Sequence, residues 1–211
     1  MNGHVDSVNV GTPRTELSAR GREITSAIWK HPVAGRVRAA GVNLEGDDQA
    51  DRRVHGGPDQ AIYAYAAQDT AWWEAELGRA LGPGAFGENL TVSGIDVTGA
   101  RVGERWAIGT TVLEVRKPRT PCYKLAHRMG DSGFVKRFGA AGRPGAYLGI
   151  VREGELGAGD AIAIVERPDH AVTIGLMAEV YLHDHARAAE LLAAAALPDS
   201  FRAWVDGRLA A

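Results

Sequence analysis

A single cysteine, Cys122, stands among 211 residues. No disulfide can close within the chain, and no zinc or iron-sulfur site built on several cysteines can be held. No run approaches the roughly eighteen consecutive apolar residues that a spanning helix needs, and residues 1–25 carry no apolar leader. The expectation is a cytoplasmic protein with no membrane contact. An excess of one charge sign is also missing: 24 basic residues face 26 acidic ones, a formal charge of −2, so no global field draws the chain onto nucleic acid. Any anion site has to be local.

What is present is ordinary globular material, 45% hydrophobic and 24% charged, enough for one substantial core with a small appendage. Up to about residue 115, short β-rich runs (residues 23–29, 36–40 and 110–115) alternate with Gly, Asp and Pro. One helix is expected over residues 68–81, where Trp72, Trp73, Glu76, Leu77 and Ala80 fall at helical spacing and Asp69 serves as its cap. Residues 146–151 and 161–165 read as closing strands. Pro168-Asp169-His170 then marks a boundary, after which Ala-, Leu- and Arg-rich helical patterns occupy residues 173–182, 185–196 and 199–209. The pattern predicts a mainly β body over residues 1–167 and a three-helix extension over 168–211. Leu191, Leu192, Leu197 and Trp204 read as the core of that extension, and His183 and His185 as a surface loop between its helices.

Chemistry-bearing residues concentrate at Lys117-Pro118-Arg119-Thr120-Pro121-Cys122-Tyr123-Lys124. Thr120 is suited to cap a helix with Pro121 in its first turn, ending at Gly130, which would set Cys122 at a helix start between Arg119 and Lys124. Such surroundings favour a thiolate. A small buried core cysteine is the equal alternative on these residues alone. A second cluster, His55-Gly56-Gly57-Pro58-Asp59, reads either as a turn whose N–H groups meet an anion, with His55 and Asp59 beside it, or as a plain surface turn. In Phe86-Gly87-Glu88-Asn89-Leu90, Asn89 either faces a pocket or caps a turn. Lys30 offers one more cation at a strand end, or a solvated lysine.

Taken in order, these three clusters, with Tyr65 following the first, resemble the MOSC family, the domain also found at the C-terminus of molybdenum-cofactor sulfurases. The resemblance covers roughly residues 26–165, and the helical tail is similar to that of the stand-alone YiiM-type branch. It implies a MOSC-type β-barrel with a few peripheral helices and a small C-terminal three-helix unit, binding molybdenum cofactor (molybdopterin). It further implies that Cys122 ligates the metal, that His55, Asn89 and Arg119 are pocket members, and that Lys30 joins them. Arg119, Lys124, Lys30 and the Gly56-Gly57 turn would jointly cradle the pterin phosphate, with Asp59 alongside. Gly103-Glu104 departs from the Gly-Asp pair expected before the strand containing Trp106.

The activity implied is a molybdenum-dependent oxidoreductase reducing N-hydroxylated small molecules such as hydroxylaminopurine-type base analogues, with Cys122 and His55 catalytic and His55 or a water supplying protons. No Rossmann, flavin or haem signature is present, so electrons would come from electron-donor redox proteins. Two readings compete with it, the first using the same cysteine and the second the helical tail. One is a non-catalytic carrier of cofactor or of sulfur on Cys122. The other is a binding module whose tail docks an electron donor or a second copy of the chain as a homodimer.

Overall fold

The computed structural model describes residues 3–18, 21–51 and 56–210. Its elements run β1 (Gly3–Val10), β2 (Arg14–Leu17), β3 (Glu23–Ser26), β4 (His31–Pro32), β5 (Arg36–Ala40), β6 (Asn43–Leu44), a 3-10 turn (Pro58–Gln60), β7 (Ile62–Ala66), α1 (Ala67–Leu77) and β8 (Leu90–Ser93). They continue with β9 (Arg105–Ile108), β10 (Thr111–Pro118), α2 (Tyr123–Met129), α3 (Phe134–Ala140), β11 (Ala146–Arg152), β12 (Gly154–Gly157) and β13 (Ala161–Glu166). The tail holds α4 (Ile174–Leu182), a 3-10 helix (His185–Ala193) and α5 (Asp199–Leu209).

Seven strands close into a barrel in the order β13-β9-β10-β11-β7-β8-β1, and Gly3 of β1 pairs with Ile162 of β13 to seal the ring. Closure leaves no exposed sheet edge around the ring. Every seam is antiparallel except β7 with β8, where Ala64 lies opposite Leu90. A parallel pair needs a crossover, and α1 supplies it. The fold is thus the mainly β barrel with peripheral helices that the sequence predicts.

Strand β7, Ile-Tyr-Ala-Tyr-Ala, is buried along its whole length. Its two-residue period divides it: Ile62, Ala64 and Ala66 join one apolar cluster, while Tyr63 and Tyr65 join a second with Trp73, Phe86, Phe134 and Phe138. The first cluster runs from Trp106, Ile108 and Leu113 of the barrel into Met177, Val180, Leu191 and Val205 of the tail, so barrel and tail share a continuous apolar core.

Local details depart from the sequence reading. Helix α1 stops at Leu77 because Gly78 takes the left-handed conformation (φ 62°) and its N–H bonds back to Glu74. Asp69 caps nothing; Ala66 holds the cap position, and Asp69 is buried in the first turn, paired with Arg143. Of the expected stripe, Trp73 is buried, Trp72 and Leu77 are half-buried, and Glu76 and Ala80 are exposed. The run 23–29 ends as a strand at Ser26, after which Ile28 and Trp29 turn into the aromatic cluster. The middle tail helix is 3-10, and Leu192 is exposed although Leu191 and Leu197 are buried. His183 and His185 are exposed, and no group of three or more metal-ligating side chains gathers among the described residues. Glu104 is fully buried and accepts from Trp106 Nε1 (2.7 Å) and Arg167 Nε (2.6 Å), so the carboxylate ties β9 to the link leading into the tail. No helix among the described residues is long and apolar enough to cross a membrane.

Candidate functional site

Where β10 ends, Pro118 closes the strand and Pro121 delays the helix, so Cys122, with extended backbone (φ −133°, ψ 167°), takes the cap position itself. Thr120 is therefore not the cap and Pro121 lies outside the first turn. The Cys122 carbonyl accepts from Leu125 N (3.0 Å), while its side chain makes no capping bond and is only half-buried. Cys122 lines a cleft of about 100 Å³ whose walls include Ile28, Lys30, Asp47, Tyr63, Asn89 and Arg119. Lys124, Gly56 and Tyr147 also border it.

The cleft is built on a buried polar lattice. Asp47 accepts from Gly11 N (2.8 Å), from Asn89 Nδ2 (3.0 Å) and from the Lys30 ammonium, with which it forms an ion pair. Burial pulls the Lys30 pKa below the ordinary lysine range, and Asp47 opposes the shift. Asn89 spends its amide fully: Oδ1 accepts from Tyr63 N (3.0 Å), and Nδ2 donates to Asp47 and to Asn9 O (3.2 Å). It therefore locks β1, β7 and the Asp47 loop together more than it offers itself to a ligand. Neighbouring Glu88, also buried, accepts from Gly84 N (2.6 Å), Phe86 N (2.9 Å) and Thr91 Oγ1 (3.1 Å), which folds the loop that carries Phe86.

Arg119 is different in kind. Only 6% exposed, it donates to Phe86 O and lies over the Tyr63 ring at 5.1 Å, and it has no carboxylate partner among the described residues. Tyr63, Tyr147 and Cys122 interact with it electrostatically, and so does the like charge of Lys30. Burial raises both phenols above the ordinary tyrosine range despite the nearby guanidinium, so they stay neutral and offset none of its charge. A buried, unpaired cation is costly unless an anion completes it. A bound anionic ligand beside Cys122 would complete it.

The sequence clusters thus converge in part. Cys122, Arg119, Lys30, Asn89, Lys124 and Gly56 border one cleft. Gly56 and Gly57 both hold positive φ (87° and 84°), as a tight turn requires, but Gly57 and Asp59 are not among the residues lining the cleft. Asp59 instead pairs with Arg116 Nε at 2.7 Å, which in turn reaches Glu114. His55 lies outside the described residues. Asp47, Tyr63 and Tyr147 are members that sequence reasoning missed: Asp47 sits in Gly-Asp-Asp, which reads as turn chemistry, and the tyrosines look like strand core.

The MOSC domain pattern matches residues 51–163, a stretch that contains Asn89, Arg119 and Cys122. The chain belongs to the MOSC domain family. Members of this family are associated with molybdenum cofactor. YflK of Bacillus subtilis (strain 168) is 36% identical over 200 residues, 93% of this chain and 90% of that protein. A reductase of Gibberella moniliformis (strain M3125 / FGSC 7600) is 33% identical over 165 residues, 76% of this chain but 29% of the longer protein. Among solved structures, YiiM from Geobacillus stearothermophilus superposes with a TM-score of 0.82 at 31% identity, covering 98% of this chain and 99% of that one. Lys30 and Asp47 precede the matched MOSC stretch, so the cleft draws on residues beyond the domain pattern.

Proposed function

We propose that this MOSC protein is a molybdenum-cofactor-dependent reductase of N-hydroxylated compounds, hydroxylaminopurine-type base analogues among them, with Cys122 as the protein's ligand to the metal. The observation that carries the reading is the buried Arg119 guanidinium, unmatched by any carboxylate among the described residues, beside the only thiol in the chain. The donor chemistry fits the group. A thiolate suits a metal already bound by dithiolene sulfurs, and an anionic phosphate suits a cationic wall of Arg119, Lys124 and the Gly56 turn.

When bound, the cofactor supplies two-electron redox chemistry. The balanced reaction is R–NHOH + 2 e⁻ + 2 H⁺ → R–NH₂ + H₂O, with electrons delivered by redox-protein partners. The chain's own residues bind and hold. Cys122 anchors from a backbone fixed by Pro121 and α2, Arg119 supplies fixed charge that no local pH change removes, and Asp47 holds Lys30 at the cleft wall. His55 is our candidate proton donor, an imidazole being near neutral pKa at about 6.5.

The test is expression in a host that makes molybdenum cofactor, then metal and pterin analysis and 6-hydroxylaminopurine reduction with a chemical electron donor. Wild type is expected to retain molybdenum and turn over. Cys122→Ser is expected to lose the metal while folding normally, because its side chain makes no cap bond and stays half-exposed. A wild type that holds neither molybdenum nor pterin overturns the proposal, and retention without turnover points to a carrier.

A further inference from the structure

A second cavity, about 400 Å³, lies between the barrel and the helical tail. Gln60, Lys117 and Pro118 form its barrel side, and Tyr181 of α4 with Phe201 and Trp204 of α5 form the other. Gln60, Thr120 and Tyr147 line both this cavity and the Cys122 cleft, so the two spaces adjoin, and Thr120 precedes Cys122 by two positions. The volume lies in the range of small-molecule sites, about 300–1,000 Å³.

Its lining is chemically one-sided. Tyr181 stands 5.0 Å from both Phe201 and Trp204, ring centre to ring centre, which makes an aromatic wall. Trp204 is only partly buried although it packs against the apolar core. Opposite stands Lys117, half-buried, whose ammonium makes no hydrogen bond to another described residue. Burial pulls its pKa down, and only Asp59 opposes the shift. An aromatic wall facing an amide and a lysine ammonium is complementary to a flat heteroaromatic ring that carries acceptor atoms on its edge. Purely aliphatic ligands would leave the wall unstacked and Lys117 unmet.

We propose that this cavity is the ring subsite of the reductase: it holds the heterocyclic body of an N-hydroxylated nucleobase, stacked on the Trp204–Tyr181 wall with edge acceptors toward Lys117 and Gln60. The N–OH end is then directed past Thr120 and Tyr147 to the Cys122 cleft. This assignment rests on the reductase reading and gives the tail a role in substrate selection. Base stacking on an aromatic side chain is commonly worth about tenfold or more in affinity.

The test measures binding of 6-hydroxylaminopurine and of acetohydroxamic acid by calorimetry, on protein with and without cofactor, alongside molybdenum content and steady-state kinetics. Trp204→Ala removes the wall. Ser200→Trp, at an exposed lining position, fills the cavity from its rim without touching the core and guards against a misfolded first variant. Both variants are expected to weaken the purine about tenfold, at least fivefold more than the hydroxamate, with KM rising more than kcat falls and molybdenum content equal to wild type. Purine binding unaltered in both folded variants, or undetectable in wild type, overturns the assignment. If wild type binds the purine through this wall yet holds no molybdenum, the reductase reading fails and the ring site stands.

Discussion

Replacing Asp47 with Ala tests the lattice beneath the cleft. Its side chain is 1% exposed and satisfies three donors at once: the Lys30 ammonium, Gly11 N and Asn89 Nδ2. Truncation leaves a buried lysine without its counter-charge, and breaking one side of a buried pair costs about 3–5 kcal/mol. The expected loss is about 4 kcal/mol, close to a thousandfold in the ratio of folded to unfolded chain. Adding Lys30→Met removes the orphaned charge and leaves only the Gly11 N–H and part of the Asn89 amide unsatisfied. The double variant should therefore recover about half the loss, for a remaining deficit of about 2 kcal/mol. Equilibrium urea unfolding, followed by far-UV circular dichroism and tryptophan fluorescence together, measures both values. A single variant within about 1 kcal/mol of wild type, or a double variant no more stable than the single, would refute the view that Asp47 exists to hold Lys30 in a dry wall.

Three further outcomes follow from the same geometry. Glu104→Ala leaves the buried Trp106 indole N–H without its acceptor and should lower stability by about 2–3 kcal/mol, read as a shifted urea midpoint with unchanged slope. Gly87 holds φ 75°, and a Cβ there would lie 2.8 Å from Ile28 Cγ1, so Gly87→Ala combines left-handed strain with overpacking and should cost about 2–4 kcal/mol by thermal melting; an unchanged melting temperature would contradict it. Lys30 has a folded-state pKa below its unfolded value, so between the two the unfolded chain binds more protons and this group's burial penalty fades as pH rises. An anion in the cleft favours the charged form, so calorimetric binding of inorganic phosphate should be strongest below the lowered pKa and weaken as pH rises through it, and Lys30→Met should abolish that decline.

Periodicity and punctuation carried most of the fold. The two-residue alternation of residues 62–66, the Ala- and Leu-rich tail after Pro168 and the glycines at 56, 57 and 130 all act through local backbone chemistry, which a sequence displays directly. The expected Asp69 and Thr120 caps failed for a related reason: acid or hydroxyl side chains are suited to capping, but Arg143 draws Asp69 into a buried pair, and Pro121 shifts the start of α2 to Cys122. Nothing local announces either outcome.

The candidate site divides the same way. Cys122, Arg119, Lys30 and Asn89 were legible because each is chemically distinctive beside prolines, glycines or apolar anchors. That Asn89 spends its amide on the scaffold, that Asp59 serves Arg116, and that Asp47 is the carboxylate for Lys30 depend on contacts spanning 17 to 80 positions along the chain. A β-rich body, a helical tail and one thiol among basic neighbours are written along the chain, and the barrel came from the family resemblance. Which charges are neutralised is set in space: Arg119 is buried without a carboxylate among the described residues, while Lys30 keeps one. Charge compensation is a property of distances through space, and only closing the barrel sets them.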